Sequence, residues 1–97
     1  MKNGGGNWRT VAGFPLHWRE WGNECLVFQE GAAGTHLLGP LEAAVLRCVE
    51  SAPAGEAELL AAVSAGLGVP ADEELNARID AVSAQLEVRG LIERLPA

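Results

Sequence analysis

The hydrophobic period of this chain changes once, at Pro40, and that change limits what it can fold into. Before Pro40, apolar and polar residues alternate over short runs. From Leu16 to Trp21, the side chains of Leu16, Trp18 and Glu20 point one way and those of His17, Arg19 and Trp21 the other, the period of a half-buried strand. Gly22-Asn23 supplies a turn that tolerates positive φ. Cys25 to Gln29 is a second strand, Gly31 to Gly34 a small-residue loop, and Thr35 to Leu38 a third, shorter strand. Runs of this kind joined by short Gly-containing turns predict an antiparallel meander.

From Pro40 onward the period is helical. Pro40 suits the first helical position, where its missing N–H costs nothing. Leu41, Val45, Cys48 and Val49 then form one apolar stripe. Pro53 and Gly55 separate this helix from a second, in which Leu59, Leu60, Val63 and Leu67 face inward. Gly66, Gly68 and Pro70 break the second helix. Asp72 is the expected N-cap of a third, with Glu73 and Glu74 in its positive first turn. Leu75, Ile79, Val82 and Leu86 mark its inner face. Gly90 closes it at a left-handed position, with Leu91 as the apolar contact of a Schellman ending. Leu91 to Leu95 reads as a short extended tail packed on the domain. The predicted fold class is therefore α+β: a three-stranded antiparallel meander followed by three helices.

Ninety-seven residues suffice for one domain, expected over residues 8–97, behind a Gly-rich flexible tail from Met1 to Asn7. A chain of this size buries roughly two-thirds of its unfolded surface, so one core forms without metal or disulfide. Aromatics are 5% of the residues and end at Phe28, so the helical half is packed with aliphatic side chains. The formal net charge is −6, with the acids concentrated after Leu41, a balance that disfavours phosphate backbones and anionic membranes. No apolar run reaches the roughly 18 residues of a membrane span, and the start lacks the plan of a signal peptide. A bacterial-type cytoplasmic location is the expectation, with Cys25 and Cys48 as reduced, buried thiols.

Leu26-Val27-Phe28, Leu37-Leu38-Gly39-Pro40, Ala43, Val45-Leu46-Arg47, Glu58-Leu59, Leu86 and Gly90-Leu91-Ile92 stand in an order that resembles the PqqD-like peptide chaperones, also described as RiPP recognition elements. Trp8-Arg9, the run from Leu16 to Trp21, and Gly34-Thr35-His36-Leu37-Leu38 are most similar to the branch found in HPr-rel-A systems, whose gene neighbours include a kinase related to HPr kinase. The resemblance implies a winged-helix-like fold that binds a peptide as an added strand, in a groove between the third strand and third helix. It implies no catalysis and no cofactor, a peptide or protein segment as ligand, and a modifying enzyme as partner.

The residues agree with that expectation. Thr35, His36, Leu37 and Leu38 form an edge strand without Lys or Pro to block pairing. Helical spacing lets Leu75, Arg78, Ile79, Val82 and Gln85 face the same groove, with Arg78 as partner for an acidic peptide residue. The plainer reading of Arg78 and Arg89 is as solvated helix charges. Trp18 is expected to wedge sheet against helices, and Trp21 either to be exposed or to pack near Trp8.

Other chemistries fit less well. His17, Cys25, His36 and Cys48 are zinc-ligand types but lack close ligand pairs, so no metal is expected. A Cys25–His36 nucleophile has no orienting partner or oxyanion feature. A winged-helix DNA-binding regulator needs basic residues at the recognition helix, where this chain has Asp72-Glu73-Glu74. A homodimer paired through the same sheet edge is the third alternative.

Overall fold

The computed structural model of the chain describes residues 7–11, 15–22, 24–29 and 34–95. The expected tail residues 1–6, Phe14, Asn23 and most of the loop at 31–33 lie outside them. The meander is present: β2 (Leu16–Trp21), β3 (Glu24–Gln29) and β4 (Thr35–Leu38) pair antiparallel in that order. Trp18 stands opposite Val27, and Val27 opposite His36. One face of the sheet therefore carries Leu16, Trp18, Cys25, Val27, His36 and Leu38, and it is this face that meets the core.

The helices follow as α1 (Pro40–Ser51), α2 (Glu56–Leu67) and α3 (Glu73–Val88). Each start is fixed by an acid. Glu42 Oε1 accepts from the Gly39 N–H at 2.7 Å and Glu58 Oε1 from the Gly55 N–H at 3.0 Å, each serving an otherwise unpaired donor at a helix start. Asp72 Oδ1 accepts from the Leu75 N–H at 2.9 Å, as expected of an N-cap. Three acids of the second half, Glu42, Glu58 and Asp72, are thus committed to helix capping. At the end of α3, Leu91 N–H donates to the Leu86 carbonyl and Gly90 N–H to that of Glu87, with Gly90 at φ +80°. That is the Schellman ending, and Leu91 is fully buried beneath it.

Two elements go beyond the predicted meander and helices. β1 (Trp8–Thr10) pairs antiparallel with β5 (Ile92–Arg94) in a separate two-stranded sheet. The segment after Gly90 is thus a strand. Arg9 Nε and Glu93 Oε2 are 2.7 Å apart across it. Trp8 also exchanges backbone hydrogen bonds with Ala54, and Leu95 N–H donates to the Asn7 carbonyl. The two ends of the domain are held together against the α1–α2 connection.

The core is aliphatic apart from Trp8: Val27, Leu38, Val45, Leu46, Val49, Leu59, Val63, Ile79, Leu86, Leu91 and Ile92 are buried with it in one cluster. α1 is its centre, packing on β1, β3, β4, α2 and α3. Trp18 wedges against it, with Nε1 donating to Glu50 Oε1 at 3.1 Å and the Arg47 guanidinium 4.1 Å above the ring. Leu67 departs from expectation. It is exposed, because α2 ends there and the chain turns away at Gly68.

Candidate functional site

β4 lies at one edge of the three-stranded sheet, with β2 at the other. Within it the pleat divides the side chains: Thr35 and Leu37 point outward, His36 and Leu38 toward the helices. Leu38 is fully buried, so its side chain belongs to the core and only its backbone is on the edge. Leu37 is 54% exposed. It joins Trp21, Leu26 and Phe28 on an outer face that also carries Arg19, Glu24 and Thr35, and where the His17 ring stacks on Phe28 with centroids 4.8 Å apart. Trp21 is thus exposed; it is Trp8 that is buried.

β2 is the more committed edge. Its Trp18 and Glu20 are tied to α1 through Glu50 and Arg47. The inward residue of β4, His36, is half-buried against Gly34 and near Arg89. Partial burial, and then the Arg89 charge, hold its imidazole below the usual range. Both effects favour the neutral imidazole, which has one ring N–H and one acceptor.

α3 divides its residues in the same way. Leu75 and Ile79 are buried and Val82 is half-buried, whereas Arg78, Gln85 and Arg89 are exposed. Ile79, at 1% exposure, is a core residue and offers no side chain to a ligand. α3 packs chiefly on α1, α2 and β5, and β4 packs on α1. The sheet is linked to the end of α3 through β3, where Gln29 Nε2 donates to the Gly90 carbonyl at 2.9 Å, and the Arg89 charge acts on His36 of β4. Gln29 is itself buried and ties sheet to helix.

Toward the start of α3 there is a cleft of about 250 Å³, lined by Leu41, Leu67, Val69, Pro70, Leu75 and Arg78, with Asp72 and Glu74 alongside. Local chemistry builds its wall. Gly68 takes φ +69°, and Gly68 and Val69 N–H groups both donate to the Ser64 carbonyl. The chain therefore leaves α2 with Leu67 and Val69 facing the cleft. Arg78 Nη2 is 3.5 Å from Glu74 Oε2, and both side chains are largely exposed. Such a pair is worth a few tenths of a kcal/mol, so Arg78 is readily diverted to another carboxylate.

The predicted set therefore falls into parts. Thr35, His36 and Leu37 share the edge; Leu75 and Arg78 share the cleft; Gln85 lines a shallow depression with Val88 and Arg89. Leu41, Leu67 and Val69 were not anticipated there. Apolar residues beside the breakers Gly68 and Pro70 were the available signal.

The sulfur chemistry is quiet. Both thiols are free and half-buried, more accessible than expected. Burial, and then the charge of Glu58, push the Cys48 thiol up, away from its nucleophilic form. Among the described residues no three His, Cys, Asp or Glu side chains converge as a metal site, and no helix is long and apolar enough to cross a membrane. No family model, curated protein or solved structure matches the chain.

Proposed function

We propose that this chain is a non-catalytic peptide-binding domain of winged-helix-like arrangement, akin to the PqqD-like chaperones of HPr-rel-A systems. It captures an extended peptide or protein segment as an added strand along Thr35–Leu38 and presents it to a modifying enzyme, in that setting one related to HPr kinase.

The observation that carries this reading is the state of β4. Four residues without Lys or Pro form a sheet edge, and the charge of Arg89, just past α3, acts on His36 within it. Strand addition supplies backbone hydrogen bonds that any sequence can make, and flanking side chains then select the ligand. In this reading Val82, Gln85 and the apolar cleft beside Arg78 make that selection. Neither a metal nor a cofactor is needed for binding of this kind. The acids at the start of α3 oppose DNA, since they occupy the turn that a recognition helix offers to phosphates and bases.

Peptides tiled across the reading frames that flank the gene test the proposal. A ligand titrated into labelled protein shifts the amides of Thr35–Leu38 and of α3 from Leu75 to Gln85. Shifts confined to other regions contradict it. A second reading, a homodimer through this edge, is favoured by the contiguous exposure of Trp21, Phe28 and Leu37. Light scattering across a concentration series separates the two.

A further inference from the structure

A second cavity, of about 310 Å³, shares none of the residues assigned to peptide binding. β1 supplies Trp8 to it, α2 Glu56 and Leu59, α3 Asp80 and Ser83, and β5 Arg94. Ser83 is only 2% exposed, yet its Oγ has no hydrogen-bond partner. Buried hydroxyls are normally paired, and a helical serine usually bonds the carbonyl one turn back. This one does not. Three charges line the same space, and none of them takes part in an ion pair among the described residues: Glu56, Asp80 and Arg94. The Arg94 guanidinium instead lies 4.3 Å above the Trp8 ring.

A lone cation placed here meets Arg94, and a lone anion meets two carboxylates. Glu56, Asp80 and Arg94 are exposed and hydrated, so a ligand here replaces water around them. A small molecule carrying both signs answers all four groups. We propose that this cavity binds a free α-amino acid or a close zwitterionic relative. The ligand carboxylate pairs with Arg94. The three N–H donors of its ammonium match Asp80, Glu56 and the orphan Ser83 Oγ. Its side chain lies over Ala84 and the edge of Trp8. The volume, at the lower end of the roughly 300–1,000 Å³ of small-molecule sites, suits a ligand of that size.

The unmodified chain, titrated with each standard amino acid and followed by amide correlation spectra, tests this. The expected result is saturable shifts at Leu59, Asp80, Ser83 and Arg94 with a millimolar or tighter Kd. N-acetylation or carboxamidation of the ligand then weakens binding about ten-fold or more. Ser83→Ala and Asp80→Asn weaken it similarly while thermal unfolding is unchanged or raised, since neither side chain pairs with the protein. No shift from any amino acid up to about 10 mM overturns the proposal, as does binding indifferent to the blocking groups. No peptide enters this experiment, so its outcome is separate from that of the β4 test.

Discussion

Replacing Gly66 and Gly68 by alanine, one at a time, moves the stability of this domain in opposite directions. The two residues lie at the end of α2, and in both cases an added Cβ meets no atom within 4 Å, so sterics with neighbours drop out of the comparison. Gly66 is helical, and Gly66→Ala gains about 0.5–1 kcal/mol by restricting the unfolded chain. Gly68 sits at φ +69°. There alanine costs about 1–2 kcal/mol for the left-handed conformation, offset by about 0.4–1 kcal/mol from the stiffer unfolded chain. The net loss is about 0.5–1 kcal/mol, which separates the variants by about 1–2 kcal/mol. With a urea slope of about 1 kcal/mol/M for a domain this small, their midpoints differ by about 1–2 M. Urea titration followed by far-ultraviolet circular dichroism measures this, with equal slopes required for the comparison. A rise of both midpoints refutes the reasoning. It would mean that α2 does not end in a left-handed turn at Gly68, and the wall formed by Leu67 and Val69 would be misplaced.

Leu46→Ala removes a fully buried side chain from the central helix and lowers stability by about 2–5 kcal/mol, a large share of what a domain of this size has, read out in the same titration. His36 gives a pH dependence of defined sign. Burial and Arg89 lower its folded pKa, so as the pH falls the unfolded chain takes up the proton first. The contribution of His36 is therefore complete above the ordinary imidazole value of about 6.5 and is lost as the pH drops from there through the folded value. His36→Asn removes that portion of the slope, and an unchanged stability–pH profile contradicts the assignment. Cys48 alkylates more slowly at pH 7.5 than a free thiol, and its rate rises at higher pH than that of the free thiol; equal rates and profiles would show that its thiol is not pushed up.

The elements that rest on local chemistry were legible in the sequence. The alternation from Leu16 to Trp21, the Asp72 cap and the Gly90-Leu91 ending each depend on residues within a turn or two of one another. The β1–β5 sheet was not legible, because the Arg9–Glu93 pair spans 84 residues and each strand is only three residues long. Segments that short carry too little alternation to announce a partner. The candidate site was readable in outline for the same reason. Alternation assigns Thr35–Leu38 to an edge, and helical spacing assigns Leu75, Arg78, Ile79, Val82 and Gln85 to one broad arc. Neither period says which member of an arc is covered by a third element. The core takes Leu38 and Ile79 and half covers Val82, while Leu37 and Gln85 stay exposed. The acidic balance was legible as a number, and the structure gives three of its acids, Glu42, Glu58 and Asp72, a capping role.

Amide hydrogen exchange in β4 tests the central claim most directly. In an antiparallel edge strand alternate N–H groups point to the neighbour and away from it. In the free protein, two of the four amides of Thr35–Leu38 are therefore protected by β3 and two exchange at rates near those of an unstructured chain. On addition of the bound peptide, the two fast amides become protected and the other two change little. Protection of all four before any peptide is added, or fast amides that stay fast when the peptide is bound, would contradict an open edge that binds by strand addition.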